Sequence, residues 1–335
     1  MPGDSHATSC TRTRLSRAGT KGPAGGASSP CARTTPCDSL DVMDSESAPG
    51  AVVVGVDGSP GSDQAVDWAT DQAARQGCPL TIVHGMDLVA FAGAGLFPAS
   101  GTDYGRLLEE IRFEDAAILA RASARSQARD STVDVHVVMS DCDPRNALLH
   151  LAEHAQLLVV GSRGRGPVAS LFLGSVGAAV SAHATCPVVV LRPGAGTRPT
   201  DGILVGADAT AASVPALEFA LRTASSRSCR LTVLHCYTQV PPATGEDAAF
   251  PGCGADDSEL GTMVAHAASA FPEVEMRTRL ALGHAAAELV SASGGFELVV
   301  VGHRRRSLLD GAGFGSVART VLEHAHGPVA VVPSA

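Results

Sequence analysis

The sequence predicts an α/β fold made of two tandem doubly wound domains, each a five-stranded parallel sheet with helices on both faces. Three observations predict it. From residue 51 onward, short runs rich in Val, Ile and Leu alternate with Ala-rich helical patterns. The apolar runs are continuous rather than alternating, as expected of parallel strands covered on both faces. The whole pattern then occurs a second time in the same order, which marks a duplicated domain.

Residues 1–50 are rich in Ser, Thr, Gly, Pro and Ala, with almost no apolar periodicity. Such a segment buries too little surface to offset its ordering entropy, so a disordered extension is expected. Met43, just before the first strand, is an alternative start to Met1. In the first copy the strands are expected at 51–56, 80–85, 133–139, 157–161 and 187–191, and the helices near 61–76, 105–129, 144–154 and 175–184. Asp57 and Asp208 end matching first strands 151 positions apart, and His84 and His235 end matching second strands at the same offset. Gly161 and Gly302 close matching fourth strands at an offset of 141, so the second copy lost ten residues in between. The expected domains are 51–192 and 201–335, joined by a Pro/Gly-rich linker over 193–200.

Composition narrows the function classes. A chain of 335 residues, 45% apolar, has the length and the core material for two domains. Its net charge of −9 argues against a nucleic-acid or anionic-membrane surface. No apolar run reaches the roughly 18 residues of a membrane-spanning helix. Arg12, Arg14, Arg17 and Lys21 precede no apolar block, so no secretory signal is read and a cytoplasmic location is expected. The nine cysteines form no C-x-x-C pair and no zinc spacing. They read as free thiols, with Cys186 and Cys229 as small core residues. Lys21 is the only lysine, so the folded part has no phosphate-binding lysine of the Walker kind.

The chemistry concentrates after strand four of copy one. The chain runs from Gly161 through Ser162, Arg163, Gly164 and Arg165 to Gly174, Ser175 and Val176. Glycines at a strand exit let the backbone approach an anion closely. Gly174-Ser175 then opens a helix whose free N–H groups and dipole favour phosphate, and the Ser175 hydroxyl adds a donor. Arg163 and Arg165 supply positive charge and forked donors. Asp57, His84 and Gly161 all fall at the carboxyl ends of strands, where doubly wound sheets bind ligands.

The spacing G-x-x-G, nine residues, then G-[ST] resembles the ATP-binding signature of the universal stress protein family. The opening V-G-V-D-G-S and the second strand L-T-I-V-H share that resemblance, which covers both copies. It implies that Asp57 hydrogen-bonds the adenine or ribose end and that the backbone around Gly85 lines the adenine slot. It also implies that Gly161, Gly164, Gly174, Ser175 and Val176 wrap the ribose and phosphates. ATP, with or without magnesium, is the implied cofactor. The family's fifth strands pair across a dimer, which puts Val188–Leu191 against Val329–Val332 within one chain as a pseudo-dimer, with a further homodimer left open. The implied role is nucleotide-dependent regulation of stress survival or dormancy through an unidentified protein partner.

Copy two departs from the signature. Its loop reads Gly302-His-Arg-Arg305, nine residues, then Gly315-Ser316, and Ala209 follows Asp208. Arg305 at a position of close backbone approach should obstruct a nucleotide, and Asp310 adds negative charge. Copy two is therefore read as degenerate, with His303 and Arg304–Arg306 as side-chain phosphate ligands the alternative reading. Asp57 has a second reading as a turn-forming residue that caps the first helix. His84 and His235 read as structural histidines, and His150 and His154 as helix surface rather than a metal pair. No catalytic set or metal site is assigned, so at most slow ATP hydrolysis is expected, and a nucleotide-independent scaffold is the competing reading.

Overall fold

In the computed structural model, residues 48–86, 104–162, 164, 173–192, 201–208, 210–237, 259–304 and 315–334 are described. The extension over 1–47, most of the glycine-rich segment 91–105 and the linker 193–200 lie outside them. So do Arg163, Arg165, Ala209, Arg305, Arg306 and Asp310.

Repeat one runs β1 (Val52–Gly55), α1 (Pro60–Gln76), β2 (Leu80–Gly85), α2 (Tyr104–Arg129) and β3 (Val135–Ser140). It continues with α3 (Pro144–Ala152), β4 (Leu157–Gly161), α4 (Ser175–His183) and β5 (Val188–Leu191). Repeat two runs β6 (Ile203–Gly206), α5 (Val214–Arg227), β7 (Leu231–Tyr237), α6 (Glu259–Ala268) and β8 (Met276–Leu282). It ends with α7 (Ala285–Ala292), β9 (Leu298–Arg304), α8 (Ser316–His324) and β10 (Val329–Ser334). Local sequence explains the best-formed boundaries. Ser59 caps α1 by accepting the Ser62 N–H, Pro60 presets its first turn, and Gly77 ends it at φ 62°.

Within each repeat every strand pairing is parallel. The repeats then join. β5 and β10 pair antiparallel, with Val329 opposite Val190, Ala330 opposite Val189 and Val331 opposite Val188. The result is a single ten-stranded sheet in the order β3-β2-β1-β4-β5-β10-β9-β6-β7-β8. β5 is fully buried along its length, and an edge of that kind left open would present unpaired backbone groups to solvent. Two apolar cores follow, one on each face, and each draws residues from both repeats. Cys186 is buried in one, where desolvation pushes its thiol up to about 12, and Cys229 packs against the other half-buried.

Contacts off the sheet also tie the repeats together. Arg192 donates to the Leu322 carbonyl at 2.7 Å. Arg227, at the end of α5, donates to Gln72 Oε1 at 2.8 Å and lies 4.7 Å from the Trp68 ring centroid. Its side chain is 11% exposed, Glu297 stands 3.6 Å away, and its Nε has no partner. Burial first, and Arg75 second, pull its pKa below the usual guanidinium range. Arg227→Ala should leave buried Gln72 without its donor and remove the cation–π contact, at a cost of about 2 kcal/mol. Denaturant unfolding followed through Trp68, the chain's one tryptophan, measures it directly.

A ladder of ion pairs fastens α1 to α2. Asp63, Asp67 and Asp71 face Arg121, Arg125 and Arg129, a four-residue spacing that puts each set on one helix face. Arg125 grips Asp67 with two 2.6 Å bonds, and Arg129 grips Asp71 at 2.5 and 2.7 Å.

Candidate functional site

The strand order of repeat one reverses between β1 and β4, and ligands of doubly wound sheets bind at the carboxyl ends beside such a reversal. Asp57 lies just past β1 and Gly161 closes β4, so the topology brings these two candidates to the same crevice.

Asp57 is half-buried. Its Oδ1 accepts the Ser59 N–H at 2.9 Å, which closes a tight turn through Gly58 at φ 75°. The cap of α1 is Ser59, whose hydroxyl accepts the Ser62 N–H at 3.2 Å, while Ser62 Oγ donates back to the Ser59 carbonyl at 2.8 Å. The turn-forming half of the second reading of Asp57 therefore stands, and the capping half passes to Ser59.

The three strand-exit glycines have different jobs. A Cβ at Gly164 would stand 2.5 Å from Asp57 Oδ2, so the missing side chain lets the loop lie directly on that carboxylate. A Cβ at Gly161 would instead meet backbone of α1, at 2.9 Å from the Gly61 carbonyl carbon and 3.2 Å from the Ser62 nitrogen. Gly161 thus seats β4 against the first turn of α1. A Cβ at Gly85 would meet Pro144 Cα at 2.7 Å and the Cys142 carbonyl oxygen at 3.2 Å, so Gly85 admits the turn that starts α3.

The far side of the crevice is the start of α4. Gly174 is its N-cap, and no side chain caps it. The first intrahelical bond runs from the Ala178 N–H to the Gly174 carbonyl, so the N–H groups of Ser175, Val176 and Gly177 precede it. Ser175 is exposed and Val176 half-buried. Sequence reasoning missed the residue that anchors this helix start. Ser162 is buried, its N–H donates to the Leu191 carbonyl at 2.8 Å, and its carbonyl accepts the Gly174 N–H at 2.9 Å. That last bond draws the two ends of the loop together. Nothing in the type of residue 162 announces it, because only backbone atoms make it. Arg165 lies outside the described residues.

His84 is committed on both ring nitrogens: Nδ1 donates to the Val56 carbonyl at 2.7 Å, and Nε2 lies 2.9 Å from Asp115 Oδ1. Both residues are buried, so His84 braces the end of β1 from beneath. His235 repeats the first bond, with Nδ1 2.8 Å from the Ala207 carbonyl. His150 and His154 are both exposed, and among the described residues no cluster of three His, Cys, Asp or Glu is arranged to hold a metal. No described helix is long and apolar enough to cross a membrane.

With this geometry in place, the family comparison is decisive: the profile of the universal stress protein family matches residues 50–192 and again 200–333. The chain belongs to the universal stress protein family. Two relatives from Mycobacterium tuberculosis share its tandem length. Universal stress protein Rv2005c is 30% identical over 286 residues, covering 84% of this chain and 96% of its own. Universal stress protein Rv2623 is 31% identical over 290 residues, covering 84% and 95%. The crystal structure of a universal stress protein from Archaeoglobus fulgidus shares the fold with a TM-score of 0.61 at 18% identity, covering 85% of this chain and 96% of that one.

The second universal stress protein repeat keeps the frame and changes the site. Asp208 Oδ1 accepts three hydrogen bonds, from the Thr210 N–H at 3.1 Å, the Thr210 hydroxyl at 2.6 Å and the Ser213 hydroxyl at 2.7 Å. That oxygen is therefore committed to the start of its own helix. Gly302, the counterpart of Gly161, has ordinary space, with the Ala212 carbonyl oxygen 3.6 Å from a built Cβ. The start of α8 at Gly315-Ser316 again has no side-chain cap. His303, the alternative phosphate ligand of copy two, is buried and donates from Nε2 to the Ala182 carbonyl of repeat one at 3.2 Å. It serves the joint between repeats, a role set by the β5–β10 pairing that brings α4 beneath β9.

Proposed function

We propose that repeat one is a nucleotide-binding regulatory module that takes ATP, and that repeat two is a nucleotide-free scaffold joined to it. The observation that carries this is the cradle formed by the α4 start and by Gly164 resting on Asp57, closed by the Gly174–Ser162 bond. Backbone N–H groups at a helix N-terminus, aided by its dipole, suit a phosphate chain. The Asp57 carboxylate at the other end suits the hydroxyl or amino donors of a nucleoside. The donor set thus fits ATP, and any magnesium would ride on the phosphate oxygens. In this reading the protein works in the cytoplasm as a binding protein. Nucleotide occupancy changes the face that repeat one presents to a partner during stress or dormancy, and any ATP hydrolysis is slow.

The test is the nucleotide released on denaturing protein purified from a close expression host, measured beside titration of the stripped chain with ATP and magnesium. One ATP per chain is expected. Two per chain would show that repeat two also binds, and none, with no uptake on titration, would leave the scaffold role alone.

A further inference from the structure

The turn that carries Asp57 is held from outside by a residue of a different helix. We propose that Arg121 of α2 is the positioning residue that sets this turn for ligand, an inference that rests on the nucleotide reading of repeat one. Its Nη2 donates to the Gly58 carbonyl at 2.9 Å, one residue beyond Asp57. Gly58 sits at φ 75°, and the Ser59 N–H bond to Asp57 Oδ1 closes the same turn from within. Arg121 thus supplies the second, tertiary tether.

The ladder between α1 and α2 shows that this rung is different. Arg125 and Arg129 spend their guanidinium groups on Asp67 and Asp71 through paired short bonds. Arg121 stands 3.6 Å from Asp63 and gives its short bond to Gly58 instead. The rung nearest the crevice is therefore spent on the crevice. The Arg121 side chain is 56% exposed, so its charge also stands beside the turn.

Repeat two carries different residues at these positions. At the same offsets Thr262 replaces Arg121 and Val214 replaces Asp63. There the aspartate turn is closed locally, by Thr210 and Ser213 on Asp208. Among the described residues, the repeat-one turn is held by Ser59 from within and Arg121 from outside, and the repeat-two turn by Thr210 and Ser213.

Arg121→Ala and Arg129→Ala in the full chain test the inference, read by titration with ATP and with adenosine and by hydrogen exchange of the Ser59 amide. Arg129→Ala removes a comparable ion pair away from the crevice, so it reports the purely structural share. Arg121→Ala should weaken ATP and adenosine by the same factor, about fivefold, as expected for losing one charge-assisted hydrogen bond. It should also speed Ser59 exchange, while Arg129→Ala changes neither. Loss confined to ATP would overturn positioning in favour of direct phosphate contact. Unchanged affinities for both ligands, or unchanged Ser59 exchange, would overturn the inference while leaving the nucleotide reading intact. A wild-type chain that binds neither ligand overturns the nucleotide reading, and the ligand role of Arg121 falls with it.

Discussion

Gly164→Arg is expected to abolish ATP binding, with affinity in isothermal titration falling more than about a hundredfold. The substitution installs in repeat one the residue that repeat two carries at its equivalent, Arg305. A Cβ at position 164 would already stand 2.5 Å from Asp57 Oδ2, so either the carboxylate or the loop must move. The rest of the arginine then occupies the space between Asp57 and the start of α4, and its guanidinium offers Asp57 an ion pair in place of a nucleoside. Gly164→Ala separates the two effects. It keeps the crowding without the charge and should cost about tenfold, since a carboxylate can swing further than a backbone can shift. Retained binding in both variants would show that the ligand does not pass between Asp57 and the loop. The fold should survive in both, because among the described residues a Cβ at Gly164 meets only the Asp57 side chain, which is half-buried.

The second large effect concerns stability and separates the repeats. Gly161→Ala should destabilise the protein by about 3 kcal/mol, whereas Gly302→Ala should stay within about 0.5 kcal/mol of wild type. A methyl at Gly161 would meet three backbone atoms of Gly61 and Ser62 at 2.9–3.2 Å. Backbone of a packed helix cannot rotate aside, so α1 would have to lift from β4. At Gly302 the nearest atoms are the Ala212 carbonyl oxygen at 3.6 Å and Ala216 Cβ at 3.8 Å, ordinary contacts. Urea unfolding of the two variants decides the matter, and equal losses would mean that the two repeats seat their fourth strands alike. Gly161→Ala should also weaken the ligand, since lifting α1 displaces the Ser59 cap and the turn behind Asp57.

The two glycines show how far a motif can be read. As letters in G-x-x-G, Gly161 and Gly164 look equivalent, and both were expected to wrap a ligand. Their neighbours separate them: Gly164 rests on the Asp57 carboxylate, while Gly161 seats a helix whose first turn lies about a hundred residues earlier in the chain. Gly85 is similar, since the residue that demands it is Pro144. A glycine announces that something comes close, and the sequence does not say what. Asp57 and Asp208 look equivalent in the same way, and each accepts the N–H two residues on, but Asp208 also takes the hydroxyls of Thr210 and Ser213.

What the sequence determined by itself was the ladder of elements. Continuous Val/Ile/Leu runs place nearly every strand of repeat one to within two residues, because burial on both faces leaves no room for polar positions. The duplication and the helix-start signature were equally legible, since both are local patterns repeated at fixed spacing. Only the tertiary structure decided which partner each of these groups meets. Fusion of the two sheets through β5 and β10, the burial of His303 against Ala182, the Ser162–Gly174 bond and the reach of Arg121 to Gly58 join residues far apart in the chain or use backbone atoms alone. Periodicity records how deeply a residue is buried. It carries no record of its neighbour, and here the neighbours separate the aspartate on which Gly164 rests from the one that takes the hydroxyls of Thr210 and Ser213.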